Sequence, residues 1–180
     1  IFLMKNINKN SYIFIDFDGV ILDTEARLEY MKGDRTWEEF SPSVDWTKLI
    51  EEAEEIESSI ENLKEIEKMY KHVFILSKVH TIHEMKEKQA FLRNSNIFIP
   101  IHFVPYSSNK SDIVIPKKNY YLIDDLEANV IDWNKKGGVG IHFSKIKKDN
   151  NISSLKELLI KGEKRWVDIV NGQKFIDKKD

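Results

Sequence analysis

The sequence predicts an α/β domain, a doubly wound parallel sheet with helices on both faces. Two observations predict it. Five short apolar runs rich in Ile, Val, Phe and Tyr are bounded by polar or turn residues, which is how strands buried on both faces read. Amphipathic stretches of helical period lie between most of them, and strands alternating with helices build parallel sheets. The chain has 180 residues, 41% hydrophobic and 11% aromatic, enough for one domain with a real core and too apolar for a disordered chain.

In chain order, 12–17 (YIFIDF) reads as the first strand, followed by strands at 73–76 (VFIL), 101–104, 120–123 (YYLI) and 139–143. Helical periods fall at 81–93, 126–135 and 154–170; in the last, Leu155, Leu158, Leu159, Trp166, Ile169 and Val170 keep the 3.6 spacing. Between the first strand and Val73 the alternation breaks, with no strand signal. A short helix and a loop through Gly33 and Pro42 fill 24–43. The stretch 45–70 reads as strongly helical, with an apolar stripe from Trp46 through Leu49, Ile56, Leu63 and Ile66 to Tyr70. Its glutamates fill the opposite, solvated face. Its second half is expected to serve as the crossover helix into the second strand. The whole predicts a Rossmann-like sheet of about five strands, one core domain over 1–180, with a small helical cap insertion at 24–70.

Composition narrows the chemistry. With 28 Lys+Arg against 30 Asp+Glu the net charge is −2, so no basic field draws in nucleic acid. The absence of cysteine excludes disulfide scaffolds, thiol nucleophiles, iron–sulfur clusters and cysteine zinc sites, and it suits a reducing cytosol. No run approaches the roughly 18 apolar residues of a membrane span. The apolar start is cut short by Lys5 and Asn6, below the about 7–15 residues of a signal-peptide core. Met4 is a candidate start, and a cytosolic protein is expected. The oligomeric state is not readable.

The chemistry-bearing residues fall at predicted strand ends. Asp16-Phe17-Asp18-Gly19-Val20 closes the first strand, and ligands of open α/β sheets sit beyond the carboxyl ends of the strands. Two carboxylates one residue apart can divide labour as nucleophile or metal ligand and as acid/base, if the chain turns between them, and Gly19 permits that turn. The alternative is an ordinary strand end with an Asp-Gly turn; an EF-hand calcium loop fits poorly. Asp124-Asp125 follows the strand at 120–123 and should reach the same edge. Four carboxylates converging there repel one another unless a hard divalent cation sits among them, and Mg²⁺ takes carboxylates plus substrate phosphate. Asp125 is equally able to cap the next helix, and the two roles are compatible. Ser77 places a hydroxyl at the second strand end, Lys78 follows it, and Lys110 lies in the polar loop 107–111. His80-x-x-His83 reads as a helix start, while His102 and His142 lack metal-ligand spacing. Trp37, Phe40 and Trp46 read as the core of the helical insertion, with lining of a pocket as the alternative.

The ordered set Asp16-x-Asp18-Gly19-Val20, Ser77, Lys110 and Asp124-Asp125 resembles the four motifs of the haloacid dehalogenase-like superfamily of phosphohydrolases, over the chain from Tyr12 to Phe143. More narrowly, KQAFLRN, HFVP and GGVGIHF, with the run 122–129, look like the C-type 5′(3′)-deoxyribonucleotidases. The resemblance implies that Asp16 attacks phosphorus to form an aspartyl-phosphate. It implies that Asp18 serves as general acid and then base, an Asp there marking phosphatases rather than dehalogenases. Ser77 would bond a phosphoryl oxygen, Lys110 would neutralise nucleophile and phosphate, and Lys78 would add a phosphate contact. Mg²⁺ would be held by Asp16, the Asp18 backbone carbonyl and Asp124, with Asp125 orienting the shell. The cap segment is shorter than the deoxyribonucleotidases would lead one to expect.

The expected function is a Mg²⁺-dependent phosphomonoesterase on a small phosphorylated metabolite, a 5′-nucleotide or deoxynucleotide among the candidates. Alternatives are a phosphatase of nucleic-acid ends or of a phosphoprotein, since a small cap leaves the site open, and a non-catalytic regulatory module. The near-neutral charge argues against nucleic acid. A module freed from catalysis has no need of so repulsive a carboxylate cluster.

Overall fold

The computed structural model describes residues 7–144, 148, 153–155 and 159. Met4, most of the helix expected over 154–170 and the tail 171–180 lie outside the described residues. Five parallel strands form the main sheet in the order β5-β4-β1-β6-β7. These are β1 (Tyr12–Ile15), β4 (His72–Val79), β5 (Ile101–Pro105), β6 (Tyr120–Asp124) and β7 (Val139–His142). The central strand β1 pairs Ile15 with Ile75 of β4 on one side and with Ile123 of β6 on the other. Its alternating residues serve two cores. Ile13 and Ile15 join Leu63, Ile66, Ile75, Leu92, Ile123, Leu155 and Leu159 on one face, and Phe14 packs with Leu76, Val104, Leu122 and Trp133 on the other. Burial on both faces is why the strand carries apolar residues without a polar alternate.

The helices following the later strands are α5 (Ile82–Asn94), α6 (Lys110–Ile113) and α7 (Glu127–Lys135). α5 begins where Thr81, as N-cap, accepts the Glu84 N–H through Oγ1 at 3.0 Å. Lys110 was expected in a loop; it instead opens the one-turn helix α6, because Asn109 before it and Asp112 two residues after it form a reciprocal capping box. From β1 the chain winds outward through β4 and β5, then returns to β6 on the other side of β1. The topological switch point therefore falls between β1 and β6, where an open sheet forms its ligand crevice.

The stretch 45–70 departs from the helical reading. It holds two helices, α3 (Trp46–Glu52) and α4 (Ser59–Met69), separated by the two-residue strand β3 (Glu54–Glu55). That strand pairs antiparallel with β2 (Leu22–Asp23), so the expectation of no strand before Val73 is corrected as well. Long-range bonds break the helix: the Ile56 N–H donates to the Ile21 carbonyl at 3.0 Å, and the buried Ser59 hydroxyl donates to the same oxygen at 2.7 Å. Glu57 and Ser58 take left-handed backbone (φ 47° and 57°), which the ribbon and the packing of Ile56 against the core hold in place. α4 leads directly into β4. Before β3, α1 (Thr24–Lys32), α2 (Trp37–Phe40), a 3₁₀ turn (Ser41–Ser43) and α3 stand over the C-terminal edge of the sheet. No helix among the described residues is long and apolar enough to cross a membrane.

Candidate active site

β1 ends one residue before Asp16, and the chain then folds into a tight loop. The Phe17 carbonyl accepts the N–H groups of Val20, Ile21 and Leu22 at 3.4, 2.8 and 3.3 Å. Gly19 sits in that loop at φ +75°, and a Cβ there would lie 2.0 Å from Asp125 Oδ2. Two requirements thus meet at one glycine, a left-handed turn and contact with the second acidic pair. The loop sends Asp16 and Asp18 in different directions.

Asp16 points to Lys110. The Lys110 ammonium, 3% exposed, donates to Asp16 Oδ1 at 2.7 Å and to Asp124 Oδ2 at 2.6 Å. Asp16 Oδ1 also accepts the Phe17 N–H at 2.8 Å. Asp124 is fixed further by Asn129 Nδ2 at 3.1 Å and by the Leu126 N–H at 2.9 Å. The last contact corrects an expectation: Asp124, not Asp125, takes the amide at the start of α7, and that helix has no side-chain cap. Asp125 is left free to turn toward Gly19 and Asp16. Each of Asp16, Asp124 and Asp125 offers a carboxylate oxygen, and these atoms lie within 4.8 Å of one another.

The electrostatics show a surplus of negative charge. Burial, and then the Asp124 carboxylate, hold the Asp16 carboxyl well above the ordinary aspartate range. Burial and Asp124 push Asp125 up to about 6. Burial pulls Lys110 down, but Asp16 and Asp124 outweigh it and leave its pKa raised, so the lysine is held as a cation. One ammonium among three carboxylates leaves the cluster short of positive charge.

Asp18 points the other way. Its Oδ1 accepts from Thr24 Oγ1 at 2.6 Å, and its Oδ2 accepts from Lys88 Nζ at 2.6 Å. Its carboxylate stands outside the three-carboxylate cluster, so its side chain is not among the oxygens placed for a cation. Ser77 is fully buried; its Oγ accepts from Lys88 at 3.1 Å and donates to the Lys78 carbonyl at 3.4 Å. Lys78 itself lines the cleft, its ammonium 6.0 Å from the Tyr106 ring centre.

Lys88 is the first of three site residues that sequence reasoning missed. It rises from α5, is 3% exposed, and passes over the Phe17 ring at 5.2 Å to reach Asp18 and Ser77. Burial lowers its pKa, but Asp18 and Glu84 more than offset this and leave it raised. The available signal was Glu84 and Lys88 four apart on the helix that follows Ser77. Thr24 and Asn129 were missed as well, and neither carries a signal outside its fold position.

A cleft of about 490 Å³ opens over the Asp16-Asp18 loop, with Thr24, Glu84 and Asn129 at its surface and Lys88 and Ser77 beneath it. Asp16, Asp18, Lys110 and Asp125 form its floor, and Leu28, Trp37, Trp46 and Leu49 enter its walls from the helices before β3. Phe40 and Trp46 are buried at 2% and 6%, so Phe40 is core alone while Trp46 is both core and wall.

A solved structure, a haloacid dehalogenase-like family hydrolase from Streptococcus pneumoniae, superposes at a TM-score of 0.54 over 74% of this chain and 84% of its own, with 15% identity. The fold is that of the haloacid dehalogenase-like hydrolases. A second such hydrolase, from Xanthomonas campestris, reaches a TM-score of 0.45 over 76% and 83% of the two chains at 16% identity. No family model and no curated protein sequence matches the chain. In the haloacid dehalogenase-like fold of this chain, the acidic residues of β1 and β6 stand on either side of the switch point.

Proposed function

We propose that the chain is a Mg²⁺-dependent phosphomonoester hydrolase of the haloacid dehalogenase-like superfamily, acting on a small phosphorylated metabolite. One observation carries the reading: a buried lysine clasped between Asp16 and Asp124, with Asp125 alongside, at the switch point of an open parallel sheet. Two lysines, Lys110 and Lys88, stand on opposite sides of the Asp16-Asp18 loop. Phosphoryl transfer asks mainly for positioning and charge neutralisation, and this set supplies both.

The donor set fits the cation. Asp16, Asp124 and Asp125 present hard oxygens within reach of one ion, and the raised proton affinities of Asp16 and Asp125 record the positive charge the cluster lacks. When bound, Mg²⁺ would neutralise phosphate charge and orient the ester. Asp16, held by Lys110 and the Phe17 N–H, attacks phosphorus and carries the phosphoryl group as an aspartyl-phosphate. Asp18, fixed by Thr24, hands a proton to the departing alcohol and then takes one from the water that cleaves the acyl phosphate. Lys110 screens the nucleophile, and Lys88, with Ser77, takes the phosphoryl oxygens on the far side. Lys78 adds a cation at the mouth. The insertion 24–70 acts as a small cap, its helices before β3 standing over the cleft and α4 serving as the crossover. Their aromatic residues suit a planar leaving group, a nucleoside among them. The absence of cysteine fits a cytosolic setting.

Hydrolysis of an aryl phosphate is expected with Mg²⁺ and is expected to vanish in EDTA. A panel of nucleotides and sugar phosphates then ranks leaving groups. Folded protein that binds Mg²⁺ yet turns over none of the panel would sink the reading in favour of a regulatory module. The metal site has its own test. Gly19→Ala drives a methyl into Asp125 and strains a left-handed turn, so Mg²⁺ affinity should fall roughly 10–100-fold, as when a metal site's supporting contacts are lost. Unchanged Mg²⁺ titration of the variant would remove Asp125 from the site.

A further inference from the structure

We propose that Glu84 is a positioning residue: its carboxylate holds the Lys88 ammonium in place against Ser77 and Asp18, and His80 in turn holds Glu84. The inference rests on the phosphatase reading and adds to it a pair of residues outside the motifs that suggested that reading. Lys88 has a long, flexible side chain and three N–H donors, yet four oxygens surround its ammonium. Asp18 Oδ2 is at 2.6 Å, Ser77 Oγ and the Lys78 carbonyl at 3.1 Å, and Glu84 Oε2 at 3.2 Å. One partner is therefore in excess, ready to yield when a phosphoryl oxygen arrives.

Glu84 is 2% exposed, and both of its oxygens are engaged. While Oε2 meets Lys88, Oε1 lies 2.8 Å from His80 Nδ1 and 3.3 Å from the His80 backbone nitrogen. The His80 ring is gripped in its turn, stacked on Tyr106 at 3.9 Å and on Trp46 at 5.5 Å. A run of contacts thus leads from Trp46 and Tyr106 in the cleft wall through His80, Glu84 and Lys88 to Asp18. Glu84 and Lys88 are one helical turn apart in the favourable order, glutamate first.

A carboxylate beside a phosphate-binding lysine has the wrong charge for attracting an anion. Its contribution must come through geometry. Helix capping accounts for Oε1 alone, which meets the His80 backbone N–H while Thr81 caps the Glu84 N–H; Oε2, turned to Lys88, takes no part in the cap. Held on one side by Glu84, the ammonium stays at the edge of the site when phosphate is absent and is spared a search through its rotamers when phosphate binds.

A double-mutant cycle separates this role from charge and from capping. Glu84→Gln keeps size and the bond to His80 but removes the charge facing Lys88; Lys88→Met removes the ammonium. The readouts are the dissociation constant of inorganic phosphate with Mg²⁺, by calorimetry, and kcat/KM on an aryl phosphate. Glu84→Gln is expected to weaken phosphate binding roughly tenfold, since small misplacements at a reacting centre cost up to about 100-fold. Added to Lys88→Met, it should cost less than about twofold more, because interacting residues are not additive. Tighter phosphate binding in Glu84→Gln would show that only charge matters, and equal losses in both backgrounds would show a general structural role; either overturns the proposal. His80→Phe keeps the ring stack and loses the bond to Glu84, and should give a smaller loss that also disappears with Lys88→Met. That second cycle decides the matter if Glu84→Gln does not fold. A wild-type protein that binds phosphate but cleaves no ester defeats the phosphatase reading alone, since the cycle is still read in phosphate binding. One that binds no phosphate overturns both.

Discussion

Asp16→Asn is expected to abolish phosphate ester hydrolysis, by about 10⁴-fold or more, while making the metal-free protein more stable. The loss follows from the covalent route. An amide has no anionic oxygen to attack phosphorus, and removing a nucleophile costs about as much as removing the group that activates it. The gain follows from electrostatics. Asp16 is buried beside Asp124, and both effects hold its carboxyl above the ordinary value. A group with a raised folded-state pKa contributes its stability below its unfolded value, near 3.9, and loses it as pH rises through the folded value. In EDTA the wild type therefore loses this contribution above about pH 4, and the asparagine variant has none to lose. The variant's melting temperature should exceed that of the wild type at pH 8, by a margin that shrinks toward pH 5. The substituted amide keeps an oxygen for the Lys110 ammonium, so the clasp survives. Activity and stability moving in opposite directions would mark Asp16 as a residue held against its own preference. A variant that keeps one per cent of the activity would end the aspartyl-phosphate account, and one less stable at every pH would end the electrostatic one.

Much of this arrangement is legible in the chain because it is local. Asp16, Asp18, Asp124 and Asp125 each follow an apolar run that reads as a strand without further information, and in a parallel sheet all strand ends face one edge. Order along the chain therefore suffices to bring them to one edge, but of the four carboxylates expected to converge there only Asp16, Asp124 and Asp125 do, Asp18 being turned away to Thr24 and Lys88. The two features that escape the sequence depend on distant partners. Ala53 and Ile56 continue the 3.6 spacing of the stripe from Trp46, yet the chain there is extended, since the N–H of Ile56 bonds to Ile21 and β3 pairs with β2. A residue can keep helical spacing in sequence and satisfy its burial from another conformation. Lys88 escapes for a related reason. In a chain with 28 Lys+Arg, a glutamate and a lysine four apart read as a solvated surface pair. Only the packing of α5 turns that face inward over Phe17. Ser77 is an intermediate case, since its position is readable but its partner is not.

Lys110→Met should destabilise the fold more than any other single change at the site. Lys110 is the one ammonium that meets both Asp16 and Asp124 at hydrogen-bond distance among the described residues, at 2.7 and 2.6 Å, and all three groups are buried. Methionine fills nearly the same volume, so packing changes little and the loss is that of the charge. Removing one partner of a buried ion pair costs about 3–5 kcal/mol, because the other is left uncompensated. Here two carboxylates are left. In a domain of this size each kcal/mol is worth about 2–4 °C, so the melting temperature in EDTA at neutral pH should fall by roughly 10 °C or more. Acid should rescue part of the loss, since Asp16, whose carboxyl is held above the ordinary range, takes up a proton and so sheds one of the charges that Lys110 had balanced. Mg²⁺ should rescue it too, because a cation bound to Asp16, Asp124 and Asp125 supplies compensation of the same sign. The rise in melting temperature on adding Mg²⁺ should therefore be larger for the variant than for the wild type. Activity should stay low even when the fold is restored, since the ammonium that screens the nucleophile is still missing. A variant that melts within about 2 °C of the wild type in EDTA would mean that the carboxylates find other compensation. A restored fold with full activity would reduce Lys110 to a structural clasp.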